Sequence, residues 1–224
     1  MSTLDERRGR MVEWQLERRG IRDAAVLRAM NEVPRERFVA AELLDSAYDD
    51  APLRIGAGQT ISQPYIVARM IEALRLTPRS RVLEIGAGSG YAAAVMARIA
   101  AHVTTLERHP RLADTARDCL RSLAVANVAV HAADGTLGWP DDAPYDAIVA
   151  AAGGPRVPDA WLEQLAPHGT LVMPLGDTLT RQELVRLTRD DGGGLRRDNL
   201  GAVVFVPLVG AQGWRAGADS EGVS

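Results

Sequence analysis

Cysteine is nearly missing from these 224 residues: Cys119 stands alone, so no intrachain disulfide can form. It falls in the helical pattern RLADTARDCLRSLA and reads as a small packing residue, not a nucleophile. No stretch approaches the roughly 18 uninterrupted apolar residues of a membrane helix. The opening MSTLDERRGR is charged and has no apolar core, so it does not read as a secretory signal. Positive charge is not in excess: the net charge is -3 and the pI is near 5.8, without the basic footprint that nucleic-acid binding needs. His102, His109, His131 and His168 show no metal-ligand spacing, and no metal site is expected. The tryptophans are scattered singly, and there are no repeats or low-complexity segments. These absences leave a cytoplasmic monomer as the expectation, with neither membrane nor nucleic acid as partner.

What is present is an α/β pattern. Apolar residues make up 46% of the chain, enough for a full core. Short apolar runs at 81–85, 102–106, 127–131, 145–150 and 169–175 alternate with helical patterns at 90–100, 110–123 and 158–165. That alternation predicts βαβ units and a parallel sheet. The pattern then changes. Runs at 183–189 and 202–208, separated by DDGGG, predict an antiparallel hairpin closing the sheet edge. The first 50 residues read as helical, with Val12, Trp14 and Leu16 on an apolar face and Asp23 capping a helix that Pro34 ends. The expected organisation is a single domain over 1–224: a helical extension and loop over 1–78, a core over 79–212, and a flexible tail over 213–224.

VLEIGAGSGY (82–91) carries the clearest ligand signal. Gly86, Gly88 and Gly90 fall where the first strand turns into its helix, so the backbone can turn tightly and approach a ligand. Glu107 ends the second strand 21 residues after Gly86, a spacing suited to ribose hydroxyls. Glu84, two residues before Gly86, would repel a pyrophosphate and suits a ligand with a cationic end. S-adenosylmethionine, with its sulfonium and ammonium groups, is such a ligand. Asp134 and Gly135 end the third strand, where an acid can accept the adenine amino group, and Arg108 can cover the adenine. A nicotinamide dehydrogenase or a non-catalytic cofactor-binding module stays open on the same fold.

A second stretch, AGQTISQP (57–64), has no reason to exist in a core. Together with MVEWQLERRGI, VLRAMNEVPRERFV, VLEIGAGSGY, ADGTLGWP, APYDAIVAAAG and FVPLVG, it resembles the bacterial protein-L-isoaspartate (D-aspartate) O-methyltransferases over roughly residues 8–214. GQTISQPY is the most specific of these; the glycine loop is common to most class I methyltransferases. The fourth strand ends in AAAGGPRVP, where that family more often has bulkier or proline-rich residues. The resemblance implies a class I S-adenosylmethionine-dependent methyltransferase: a Rossmann-like, doubly wound, mostly parallel seven-stranded sheet with an N-terminal helical extension. It implies Ser62 as the active-site residue. Gln59, Thr60 and Ser62 would border the cofactor, and Thr60, Ile61, Ser62 and Val209 the substrate.

The implied reaction is methyl transfer to the free carboxylate of an L-isoaspartyl residue in damaged proteins and peptides. S-adenosylhomocysteine would be the product, and a succinimide would return part of the damage to aspartate. A carboxylate with a pKa near 4 is already nucleophilic at neutral pH, so Ser62 reads as a hydrogen-bond donor that orients it, supported by Thr60. No GxSxG surrounds Ser62. An aspartyl methyltransferase of one dedicated peptide, or of a small-molecule carboxylate, is the alternative.

Overall fold

The computed structural model describes residues 3–178 and 180–215. Its centre is a seven-stranded sheet in the order β5-β4-β3-β6-β7-β8-β9. The strands are β3 (Arg81–Ile85), β4 (His102–Glu107), β5 (Val128–Ala132), β6 (Tyr145–Ala150), β7 (Leu165–Thr178), β8 (Arg181–Arg189) and β9 (Leu195–Val203). The first five in that order run parallel, and the last two are antiparallel additions. Helices α3 (Pro64–Leu74), α4 (Tyr91–Ala97), α5 (Pro110–Ser122) and α6 (Asp159–Gln164) alternate with the parallel strands. Because β3 pairs with β4 on one side and β6 on the other, the strand order reverses at β3. A crevice therefore opens at its carboxyl end.

Strand periodicity divides the core in two. Val82, Val103, Ala147 and Val172 join one apolar cluster with α3, α4 and the N-terminal helices. Leu83, Ile85, Leu106, Ile148 and Leu171 join Trp161 of α6 in the other. Successive side chains of a strand point to opposite faces, so Glu84 faces the same side as Val82, toward α3 and α4. That face is mostly apolar, with Thr105 of β4 in register beside Glu84, and this sets up the site.

The extension belongs to the same cluster through Met11, Leu16, Ile21, Val26 and Met30. It begins with α1 (Leu4–Arg10), continues in a π-helical turn (Met11–Leu16), and reaches α2 (Ala24–Glu32). Asp23 caps α2 as expected, accepting from the N–H groups of Ala25 (2.8 Å) and Val26 (3.2 Å). Trp14 departs from the expected apolar face. The wider π turn buries Met11 and Leu16 and leaves Trp14 53% exposed, with the Arg18 guanidinium 3.3 Å above its ring. The AGQTISQP stretch is not wholly a loop: β1 (Leu53–Gly56) and β2 (Gln59–Ile61) make a small antiparallel hairpin ahead of α3.

The second strand of the C-terminal hairpin also differs, covering Leu195–Val203 and not 202–208. The edge strand is held by charge pairs that an apolar pattern does not reveal, Arg186 with Asp198 (2.8 Å) and Arg197 with Glu183 (3.3 Å). The apolar run beyond it leaves the sheet and returns to the crevice. There the Gly153 N–H donates to the Val206 carbonyl and the Leu208 N–H to that of Gly153, both at 2.8 Å. Gly213 and Trp214 are anchored as well: Trp214 donates from its backbone to Leu208 (2.7 Å) and from its indole to Gly153 (3.0 Å). The rest of the expected flexible tail, from 216 on, lies outside the described residues.

Gly90, the cap of α4, has φ +88°, and a Cβ there would lie 3.3 Å from Ala116 Cβ on α5. Gly90→Ala should therefore destabilise the fold by about 1–2 kcal/mol, read as a lower midpoint in thermal or urea unfolding. An unchanged midpoint would show that neither the left-handed backbone nor the α4–α5 approach constrains this position.

Candidate active site

Three adjoining cavities occupy the crevice. The first is narrow (about 60 Å³) and mostly apolar, walled by Ile61, Val67, Met70, Ile71, Tyr91 and Met96, with Glu84 as its acid. The second (about 260 Å³) lies over the glycine loop and is bordered by Gln59, Gly86, Gly88, Glu107, Arg108 and Gly135. The third (about 520 Å³) is a cleft between Ile66, Gln63 and the returning segment Ala202–Val206. Thr60 borders all three, and Ser62 borders the first and third. No His, Cys, Asp or Glu cluster able to hold a metal occurs among the described residues.

Backbone geometry puts these hydroxyls there. Ala57 and Gly58 both have positive φ (50° and 70°), the combination a tight two-residue hairpin turn requires. The hairpin pairs Arg54 with Thr60, and β2 alternation buries Ile61 while leaving Thr60 at the rim. Pro64 then starts α3 at a position where its missing N–H costs nothing. Ser62 is thereby held between a strand and a helix. Its carbonyl accepts from Arg35 Nη2 at 2.9 Å.

Glu84 is 2% exposed and accepts from Thr105 Oγ1 at 2.5 Å. Burial pushes its pKa up to about 8; the Thr105 hydrogen bond opposes this, and the charge of Glu107 adds to it. No basic side chain borders the narrow cavity. A buried acid in such a place fits a cationic ligand group. Glu107, 4% exposed, accepts from the N–H of Gly88 (2.9 Å) and of His109 (2.9 Å). Two of its roughly four acceptor sites thus remain for a ligand facing the second cavity. Gly86 (φ +91°) and Gly88 (φ +54°) form the floor between the first two cavities.

Some residues singled out in the sequence sit elsewhere. Gly90 borders none of the three cavities and serves the packing of α4 on α5. Asp134 also stands outside the cavity walls, although Gly135 is in one. Its Oδ1 accepts from the Thr136 N–H (2.9 Å) and hydroxyl (2.7 Å), and its Oδ2 from the Ala211 N–H (2.8 Å). These bonds, with Arg108 nearby, outweigh the effect of burial and hold its pKa below the ordinary value. Asp134 thus ties down the 210–214 turn. Val209 borders the second cavity and not the cleft. At Gly135 a Cβ would meet Ile85 Cγ2 at 2.6 Å, and the Gly135 carbonyl accepts from the Trp161 indole at 2.8 Å. Arg35 and Trp161 carry no site signal in the sequence, and the segment 202–208 reads there as a sheet strand and not as a cleft wall; their roles depend on contacts between distant parts of the chain.

A parallel-sheet crevice with a glycine floor, an acid at the carboxyl end of each of the first two core strands and a slot built around a buried acid defines a class I S-adenosylmethionine-dependent methyltransferase. Its particular family is equally definite: the family profile described as protein-L-isoaspartate(D-aspartate) O-methyltransferase matches residues 7–213, and the chain belongs to that family. A protein-L-isoaspartate O-methyltransferase 1 of Rhodopseudomonas palustris (strain HaA2) is 58% identical over 92% of this chain and 84% of its own. A solved protein-L-isoaspartate O-methyltransferase superposes with a TM-score of 0.83 at 30% identity, over 92% of this chain and 67% of that one. A putative protein-L-isoaspartate O-methyltransferase from Plasmodium falciparum, in complex with S-adenosyl-L-homocysteine, gives 0.76 at 28% identity, over 90% and 98% of the two chains.

The raised Glu84 pKa has a thermodynamic consequence. Between about pH 4.5 and pH 8 the folded protein keeps a proton that the unfolded chain has released. Without ligand, stability from this group should therefore fall as pH rises through that window. Glu84→Gln keeps an acceptor for Thr105 and removes the dependence. Its melting temperature should match the wild type near pH 4.5 and exceed it by several degrees at pH 8, while its affinity for S-adenosylmethionine is lower. A melting difference that does not change with pH would contradict the buried, protonated state.

Proposed function

We propose that this chain transfers the methyl group of S-adenosylmethionine to the free carboxylate of L-isoaspartyl residues in damaged proteins and peptides, and that Ser62 orients that carboxylate. The observation that carries this reading is the shared wall: Ser62 and Thr60 border both the slot that holds Glu84 and the open cleft. When bound, the cofactor supplies a methyl group on a sulfonium, a leaving group that needs no protonation. Glu84 offers the negative charge for its cationic end. Gly86 and Gly88 allow close approach of the backbone. Gln59, Thr60, Ser62, Glu107, Arg108 and Gly135 complete its binding surface, with Asp134 acting through the 210–214 turn.

The cleft suits a carboxylate on a peptide. No ionisable side chain borders it, and none is needed as a base, because a carboxylate with a pKa near 4 is ionised at neutral pH. What remains is alignment, worth up to about 7–11 kcal/mol in well-oriented pairs. A neutral hydroxyl aligns the anion without stabilising its ground state as strongly as an ion pair would. Thr60 and Ile61 complete the substrate side of the loop, and Val209, which shares the second cavity with Thr60 and Val206, borders the substrate from the returning segment. Val204 is 73% exposed at the cleft's edge, a surface suited to the apolar parts of an extended peptide. The methyl ester so formed closes spontaneously to a succinimide, and its hydrolysis restores part of the aspartate. No helix is long and apolar enough to cross a membrane among the described residues; a cytoplasmic monomer acting without nucleic acid is part of this proposal.

Ser62→Ala should lower kcat on an isoaspartyl peptide by about 10- to 100-fold, the loss of one hydrogen bond to a charged group. The affinity for S-adenosylhomocysteine, measured by calorimetry, should change little. An unchanged kcat would remove Ser62 from the alignment of the carboxylate.

A further inference from the structure

Arg35 opens a 3-10 turn, Arg35–Phe38, and is completely buried. Its Nε donates to the Ala47 carbonyl at 2.8 Å, and its Nη2 to the Ser62 carbonyl at 2.9 Å. Its guanidinium carbon lies 4.9 Å from the centroid of Tyr91, a wall of the narrow cavity. Nη1 is buried with no hydrogen-bond partner. Among the described residues no carboxylate is ion-paired with Arg35: Glu36 faces Arg8 at 3.8 Å, and Asp50 is paired with Arg19 through Oδ2, while its buried Oδ1 has no hydrogen-bond partner and acts on Arg35 only through space. Burial lowers the Arg35 pKa, opposed by Tyr91, Tyr48 and Asp50, yet an arginine in a protein stays charged.

A buried cation whose direct partners are backbone carbonyls and not a carboxylate is costly to a fold. Here it lies directly behind the peptide group of the proposed catalytic serine, and the cleft on the other side has no cation of its own. We propose that Arg35 is a positioning residue for methyl transfer. It fixes the Ser62 peptide from the protein side and supplies the positive field that makes the cleft select an anionic group over a neutral one. This rests on the isoaspartyl reading given above. The arrangement attracts the carboxylate without touching it. A direct arginine contact would bind the ground state more tightly and blunt the oxygen as a nucleophile.

The test compares two peptides, one with an L-isoaspartyl residue and one with the isoasparaginyl amide at the same place, titrated by calorimetry with S-adenosylhomocysteine present. Wild type should prefer the anionic peptide, and Arg35→Met should lose about tenfold or more of that preference, with its S-adenosylhomocysteine affinity unchanged. Arg35→Lys adds a measurement that does not depend on the methionine variant folding. The chain contains no lysine, so 15N-lysine labelling gives a single ammonium signal, expected to titrate at higher pH with the isoaspartyl peptide and not with the amide. Full preference in a folded Arg35→Met protein, or an ammonium that does not sense the isoaspartyl peptide, would overturn the proposal. A wild type that methylates the isoaspartyl peptide but binds both peptides alike overturns it alone. A wild type that fails to methylate the isoaspartyl peptide overturns the isoaspartyl reading, and this proposal with it.

Discussion

Burial of the Glu84 carboxylate is the constraint on which the rest of the site depends. The residue is the last but one of the central strand, on the face that packs against α3 and α4, where its neighbours are mostly apolar. Such an acid is unfavourable in the free protein, and its raised pKa expresses that cost. A cationic ligand group reverses the sign of the interaction. The fold keeps a slot that is poor for itself and good for the cofactor, and it stabilises the surroundings elsewhere. Thr105 hydrogen-bonds the acid, and the two backbone N–H groups bound to Glu107 fix the neighbouring one.

Two segments far apart in sequence then convert a cofactor site into a group-transfer site. The β1–β2 hairpin brings Thr60 and Ser62 over the slot from the N-terminal side. The segment beyond β9 forms the opposite wall of the cleft. Gln182 clamps that wall with paired amide hydrogen bonds to Phe205, 3.1 Å to its carbonyl and 2.9 Å from its N–H. Asp134 and Thr136 hold the turn after it through Ala211 and Gln212. The wall is thus tied to the end of β5 as well as to β8. Its shape should be set by these polar ties more than by its own apolar residues.

What could be read in the sequence was local. The strand–glycine–helix unit, the acids Glu84 and Glu107 and the capping Asp23 lie within a few residues of the features that define them, and the structure has the two acids at the carboxyl ends of their strands and Asp23 at its cap. The alternating pattern likewise announced a parallel sheet. Non-local features were hidden. β9 is an exposed edge strand held by ion pairs, so its hydropathy resembles that of a loop, while the more apolar run just after it resembled the strand. Trp14 falls on the apolar face of a regular helix, and the π turn rotates it out to solvent. Gly90 and Asp134 carry contacts that spacing does not announce, Gly90 with α5 and Asp134 with the 210–214 turn. Arg35, in a charged stretch, looks like a solvated residue until the tertiary fold surrounds it.

The most direct test of the central claim is methyl incorporation from labelled S-adenosylmethionine into two synthetic peptides that differ only in L-isoaspartyl versus L-aspartyl linkage at one site. Incorporation confined to the isoaspartyl peptide is the result this account predicts. Equal incorporation into both, or none into either while cofactor binding is intact, would contradict it and point to a dedicated peptide or a small carboxylate as the substrate.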